Sequence, residues 1–323
     1  MLVRGFFLIG LFLFVGACHS SEVASFGQAK PTDTYLAKSS APEKSFIPTG
    51  AVQNEELIRT SSTLPAIAPM TSEEGEETSM PAAQSLSIII VYDNNPYDQR
   101  LKSSWGFSAL VEYLDHILLF DTGGDGPTLM ENMRILGIDP TQIESVVLSH
   151  AHGDHTGGLI ALLEAGTHPT VFLLPSFPSS YKRQVGQFTS VVEVTPGQSI
   201  VDGLFTTGEM GRDIPEQALV VKTESGLVII TGCAHPGIVA IVEQAQGMFA
   251  DPLRLVIGGF HLGSKSKAEV DSILKDFRHM GVQQVAPCHC TGERAVTMFA
   301  AEYGEDFIQT GVGKIIQLEG GYP

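Results

Sequence analysis

Apolar residues along the chain fall into short runs of strand length, separated by glycine, proline and small polar residues, with helical stripes between some of them. Residues 87–92 (SIIIVY) form the first run, and 107–113 followed by 117–120 alternate around Asp115-His116 and predict a hairpin. Pro127 opens a helix with Met130, Met133 and Leu136 on one stripe, and Gly137 closes it. Further strands are expected at 143–148, 171–174, 190–194, 218–223, 226–231, 253–257 and 282–286. A helix follows Leu159 and ends near Gly166, one over 267–280 carries Val270, Ile273, Leu274 and Phe277 before Gly281, and a last one spans 293–303. Strands with few helices come first and a mixture follows, which predicts an α/β fold. His150, His261 and His289 each sit just after a strand run, so loops carrying them are expected to converge at one sheet edge.

The first 80 residues break this pattern. Residues 1–18 place Arg4 before an apolar stretch, 6–15, and end in Gly16, Ala17 and Cys18, the layout of a secretory signal. That stretch is shorter than the roughly 18–20 residues a membrane span needs. Val15-Gly16-Ala17-Cys18 resembles a bacterial lipobox, which implies an exported lipoprotein held at the membrane by lipid on Cys18, with plain secretion as the alternative. Residues 19–80 are rich in Ser, Thr, Pro, Ala and Glu and hold the cluster Glu73, Glu74, Glu76, Glu77, so they are expected to be a disordered tether to a domain over 81–323.

Charge narrows the partners. The net charge is −17, and residues 81–323 alone hold 27 acids against 14 bases with no Lys/Arg cluster. Such a field repels phosphate backbones, so nucleic acid is not expected and the substrate is expected to be a small molecule. Of the four cysteines, Cys233, Cys288 and Cys290 lie in the domain close to His235 and His289. An exported chain allows a disulfide among them, while the neighbouring histidines point to site chemistry.

Three of the ten histidines fall within six positions, His150-Ala151-His152-Gly153-Asp154-His155. Two histidines two apart at a strand exit point the same way and can grip one ion, and the turn at Gly153 brings Asp154 and His155 round to a second. Two divalent ions a short distance apart can share an activated hydroxide. The plainer alternative makes His152 or His155 a helix cap or a surface residue.

With Phe120-Asp121-Thr122-Gly123 upstream and the strand ending in Thr231-Gly232 downstream, this motif resembles the metallo-β-lactamase superfamily. Asp93-Asn94, Gly106-Phe107-Ser108, Gly232-Cys233-Ala234-His235-Pro236-Gly237, Gly258-Gly259-Phe260-His261-Leu262 and His289-Cys290-Thr291-Gly292 are similar to the branch of dihydropteroate synthase-like proteins, which join a dihydropterin unit to ribofuranosylaminobenzene phosphate. The likeness covers about residues 86–318 and implies a four-layer αββα sandwich. It implies metal ligands at His150, His152, Asp154, His155, His235 and His289, and two divalent ions, zinc first, with iron or manganese as alternatives. Asp154 and His261 are the expected catalytic residues, Asp154 ligating and orienting the hydroxide and His261 acting on metal, substrate or proton. Asp121 is expected to orient a ligand histidine by hydrogen bonding rather than to bind metal.

The motif departs from the superfamily pattern at two places. Thr207-Gly208-Glu209 stands where many superfamily hydrolases carry Pro-Gly-His, and Cys233 stands where an aspartate bridges the metals. His235 then replaces the missing imidazole or caps the helix after Pro236; Cys233 bridges as a thiolate or is a buried thiol; Glu209 is a weaker candidate ligand. His116, His168 and His279 are expected at the surface, Trp105 in packing rather than at the pocket mouth, and Gly123-Gly124-Asp125-Gly126 in a loop over the site. The functional expectation is a metal-dependent hydrolase. A dihydropteroate-type transfer on the same site and a metal-containing binding protein without turnover are the alternatives.

Overall fold

The computed structural model describes residues 85–319. The expected signal segment and lipobox at 1–18, and the tether at 19–80, lie outside the described residues. Thirteen strands are present among the described residues: β1 (Ser85–Asp93), β2 (Phe107–Tyr113), β3 (His116–Phe120), β4 (Ser145–Val147), β5 (Thr170–Leu173), β6 (Val191–Glu193), β7 (Ser199–Val201), β8 (Leu204–Thr206), β9 (Leu219–Thr223), β10 (Gly226–Thr231), β11 (Leu253–Gly259), β12 (Gln284–Cys288) and β13 (Ile315–Glu319). Between them run the helices α1 (Gly126–Leu136), α2 (Gly153–Thr156), α3 (Leu159–Glu164), α4 (Ser179–Val185), α5 (Ile238–Met248), α6 (Lys267–Met280) and α7 (Glu293–Tyr303).

The strands build two sheets, one of seven in the order β13-β1-β2-β3-β4-β5-β6 and one of six in the order β12-β11-β10-β9-β8-β7. Alternation along the strands explains how the layers stack. In β9 and β10, Leu219, Val221, Val228 and Ile230 face the core between the sheets. Their neighbours Val220, Leu227 and Ile229 face a second core shared with Ile241 and Val242 of α5, Val270 and Phe277 of α6, and Phe299 of α7. Successive side chains of a strand point to opposite faces, so one apolar run serves both cores. Leu129 and Met133 of α1 and Leu159 and Leu162 of α3 pack on the first sheet in a layer continuous with that core. The result is a helix–sheet–sheet–helix sandwich, the architecture expected from the sequence.

Local signals act as read. Asp125 caps α1 by accepting from Thr128 N, Pro127 lies in its first turn, and Gly137 ends it with φ 74°. Ser266 and Glu269 form a reciprocal capping box on α6, and Gly281 closes it with φ 79°. The β2–β3 hairpin turns through Leu114-Asp115, one residue earlier than read, with Tyr113 paired to His116 and φ of 51° and 64° at the two turn residues.

Strand direction creates the functional edge. β3, β4 and β5 are parallel to one another, as are β10, β11 and β12. β1 and β3 each run antiparallel to β2, so the ends of β1 and β3 and the start of β2 lie at one edge. The loops that follow β1, β3, β4, β10, β11 and β12 carry every histidine of interest.

Candidate metal centre

The loop after β4 presents His150, His152, Asp154 and His155, with the short helix α2 turning the chain back after His152. Thr122 N donates to His155 O at 2.7 Å and Gly157 N to Gly123 O at 2.9 Å, which clamps this turn to the loop after β3. Gly106 makes the approach from β2 feasible: its φ is 142°, and a Cβ there would meet Asp154 O at 2.5 Å.

Two groups of ligand-type atoms result. His150, His152 and His235 form one, and Asp154, His155 and His289 the other, each with its donor atoms within 4.8 Å of one another. Cys233 falls in with one histidine of each, His150 and His155, and its Sγ lies 3.3 Å from His155 Nε2. It thus stands between the groups, at the place the superfamily pattern gives to the bridging aspartate. His261 is exposed, with its ring 4.5 Å from that of His235, and groups with Cys233 and His235 at the rim. Glu209 is exposed, accepts from Ser176 N at 2.9 Å, and belongs to neither group.

Outer hydrogen bonds decide which ring nitrogens face inward. The buried carboxylate of Asp121 accepts from His155 Nδ1 at 2.7 Å, from Ser149 Oγ at 2.7 Å and from Ser149 N at 2.7 Å. Since the Ser149 hydroxyl gives its proton to Asp121, its oxygen accepts from His150 Nδ1 at 2.9 Å. Asn94 Oδ1 accepts from His289 Nδ1 at 2.8 Å while its amide donates to the His289 carbonyl. Three imidazoles therefore turn an unprotonated Nε2 toward the centre. The expected orienting role of Asp121 matches this geometry; Asn94, quoted in the sequence only as part of a motif, does the same for His289.

The loop of His235 has a different anchor. Glu216, fully buried at the entry to β9, accepts from Cys233 N at 2.8 Å, Ala234 N at 2.9 Å and His235 N at 2.9 Å. Sequence reasoning missed this residue. A lone acid leading into the apolar run 218–221 with no cation beside it was the available signal.

Electrostatics prepare the groups for a cation. Burial, followed by the neighbouring imidazoles, pushes His150 far below its ordinary value and His235 down to about 4, so both are neutral donors at pH 7. Burial opposes charge on Asp154, but the imidazoles of His289, 3.5 Å away, and His155 outweigh it and hold the carboxyl low. Burial would also lower His155; Asp121 overrides it and raises that histidine instead. The neighbouring Cys233, with help from His261, draws Cys290 below an ordinary thiol against the effect of burial.

His235 Nε2 and His289 Nε2 are buried atoms with no hydrogen-bond partner. Two orphaned lone pairs, one in each group, are costly to bury, and coordination to a divalent ion satisfies them. The residues present therefore fit a metal centre. Among the described residues, four of the six non-glycine residues with positive φ sit at it: Asp121 (57°), Ala234 (59°), His261 (53°) and His289 (46°).

Trp105 corrects the sequence reading. It is 59% exposed rather than packed in a core, its ring is 4.9 Å from that of His289, and it lines a cavity of about 390 Å³ with Asn94, Asn95, His289, Cys290 and Glu293. The loop it belongs to is pinned by Asn132, whose amide donates to Lys102 O and whose oxygen accepts from Lys102 N. Asp125, read as part of a loop over the site, is spent on capping α1 and on the Tyr92 hydroxyl at 2.8 Å.

A family model of the metallo-β-lactamase superfamily matches residues 106–247. The 7,8-dihydropterin-6-methyl-4-(beta-D-ribofuranosyl)-aminobenzene-5'-phosphate synthase of Methanocaldococcus jannaschii is 30% identical over 272 residues, which cover 69% of this chain and 92% of the relative. Among solved structures, Tm1679, described as a metal-dependent hydrolase of the beta-lactamase superfamily, aligns at 30% identity with a TM-score of 0.62 over 72% of this chain and 99% of that one. The metallo-beta-lactamase fold protein YhfI of Bacillus subtilis shares the fold at 14% identity, with a TM-score of 0.56, 72% of this chain and 99% of that chain being covered. Two stacked sheets, a histidine-rich edge and these relatives together make the chain a member of the metallo-β-lactamase superfamily.

Proposed function

We propose that the protein is a metal-dependent enzyme of hydrolase type acting on a small molecule. The observation that carries this reading is the pair of donor groups meeting at Cys233, each with an orphaned imidazole nitrogen. His150, His152 and His235 would hold one divalent ion, and Asp154, His155 and His289 the other, with Cys233 between them. Ions bound there supply Lewis acidity and bring a coordinated water into reach of deprotonation near neutral pH. The chain's own groups do the rest. Asp121, Ser149 and Asn94 fix the ring orientations, Asp154 offers a carboxylate oxygen that also accepts a hydrogen bond from the nucleophile, and His261 at the rim can pass a proton to a leaving group. Trp105 gives the substrate an apolar wall beside His289.

A transfer reaction of the synthase kind is the second reading, favoured by 30% identity to a relative named as a synthase over 92% of its length. The same donor groups would serve it, by stabilising an anion rather than activating water.

Elemental analysis of protein purified without added metal, joined to turnover of chromogenic phosphodiester, lactone and β-lactam substrates, tests the proposal. About two equivalents of zinc, iron or manganese with hydrolysis of one substrate class is the expected result. Metal without hydrolysis shifts the weight to transfer, and a chain that binds no ion ends both readings.

A further inference from the structure

Cys233 and Cys290 reach the centre on different loops, after β10 and β12, yet their sulfurs and a ring nitrogen of His289 lie within 4.8 Å of one another. Cys290 Sγ is 3.6 Å from the Cys233 carbonyl oxygen. Gly259 is what lets them approach: a Cβ at that position would stand 2.7 Å from Cys290 Sγ and 3.3 Å from Cys233 Cα. The two thiols differ in access. Cys290 is half-buried and lines the cavity beside Trp105, whereas Cys233 is 3% exposed. Cys288, two residues before Cys290, is buried and turned toward Asp93.

We propose that Cys233 and Cys290 are a reversible modification site that closes to a disulfide when the protein meets hydrogen peroxide. The Cys290 sulfur attacks a peroxide oxygen; the O–O bond breaks, one oxygen leaves as water with the thiol proton, and Cys290 becomes a sulfenic acid. The Cys233 sulfur then attacks the Cys290 sulfur; the S–O bond breaks, and the hydroxyl leaves as a second water with the Cys233 proton. Two thiols are oxidised by two electrons and one peroxide is reduced to two waters. A small dithiol reverses the bond and is itself oxidised to a disulfide.

The bond would reshape the metal centre. It draws the Cys233 sulfur away from His155 Nε2, now 3.3 Å distant, and ties the loop of His235 to the loop of His289. That consequence rests on the metal reading above; formation of the bond does not.

The full chain, reduced, freed of reductant and stripped of ions with a chelator, is treated with stepwise hydrogen peroxide and mapped by peptide mass spectrometry. The expected product is one cross-linked pair, Cys233 with Cys290, lighter by two hydrogens, with Cys288 still a free thiol and with full reversal by dithiothreitol. Cys233→Ser should leave a Cys290 sulfenic acid that dimedone traps. Loading with zinc beforehand should slow the cross-link about tenfold, since a coordinated sulfur is withheld from attack. A cross-link through Cys288 or Cys18 overturns the proposal, as does Cys290 passing to sulfinic acid while Cys233 stays free, or no thiol loss at peroxide levels that oxidise a free cysteine. The mapping uses the wild-type chain, so it decides the matter even if a variant fails to fold. A chain that forms the bond yet binds no metal refutes the functional reading alone.

Discussion

His150, His152 and His235 are three imidazoles with no carboxylate among them, and the loop of His235 hangs on backbone hydrogen bonds to Glu216. Asp154, His155 and His289 include a carboxylate, and behind them stand Asp121 and Asn94, each bonded to a ring nitrogen. The first group offers neutral donors, with Ser149 behind His150 and backbone hydrogen bonds to Glu216 behind His235; the second adds a carboxylate and direct bracing of its rings by Asp121 and Asn94. A divalent ion gains more from the second, because a carboxylate attracts it directly and an anion-backed histidine is a stronger base. If both groups hold ions as proposed, the difference predicts unequal affinity, set by the carboxylate among the donors and by the residues behind them.

The largest effect should come from removing a donor from each group in turn. Asp154→Ala is expected to lower turnover on the order of 10³-fold and to remove about one equivalent of ion. His152→Ala should also abolish most turnover while leaving the ion of the second group in place. Elemental analysis beside steady-state kinetics reads both, and a His152→Ala chain that loses both ions would break the asymmetry.

Outer residues give the next effect and sharpen the contrast. Asp121→Asn should weaken the second group's ion by about 10–100-fold. Glu216→Ala leaves three buried N–H groups unpaired, so the metal-free protein should lose about 3 kcal/mol in denaturant unfolding. Its ion loss should fall on the His235 group. Metal titrations in which both variants lose the same ion would refute the division of labour.

Acidity gives the smallest effect. His235 is held at about 4 and His150 is depressed as well, against an ordinary value of 6.5. The unfolded chain therefore takes up protons first, and the stability these neutral rings contribute is present above 6.5 and lost as pH falls toward 4. His155, raised by Asp121, works in the opposite sense, contributing below 6.5 and fading as pH rises through its folded value. The Tm of the metal-free protein should fall between pH 6.5 and 4, and the fall should shrink in His235→Asn. Histidine NMR that finds His235 titrating at its ordinary value would remove the effect.

Legibility followed how each role is encoded. His150, His152, Asp154 and His155 are contiguous, so a strand exit and a turn suffice to bring them together. Bringing in His235 and His289 took the likeness to a family, since nothing in their local spacing says that β10 and β12 end beside β4. Glu216 escaped because its partners are backbone N–H groups, which every residue but proline carries and no pattern announces. The acid at 209 looked equivalent in sequence, yet the turn at Gly208 leaves it exposed against Ser176. Among the elements, α1, α6 and the β2–β3 hairpin were readable from caps and turns. β7 and β8, three residues each, are too short to show a period, and α5 is readable only as a helix after Pro236, since its N-cap, Gly237, has no capping side chain.

The left-handed backbone at Asp121, Ala234, His261 and His289 carries a thermodynamic consequence. Each such residue is disfavoured by roughly 1–3 kcal/mol, so the rim stores conformational energy that the two cores beneath it must outweigh. Glycine at any of the four would relax the chain and erase the side chain, or the rigidity, that the chemistry requires. Left-handed backbone is thus concentrated in the loops that carry the candidate ligands, so relieving it for a sturdier fold would disturb the donor groups themselves.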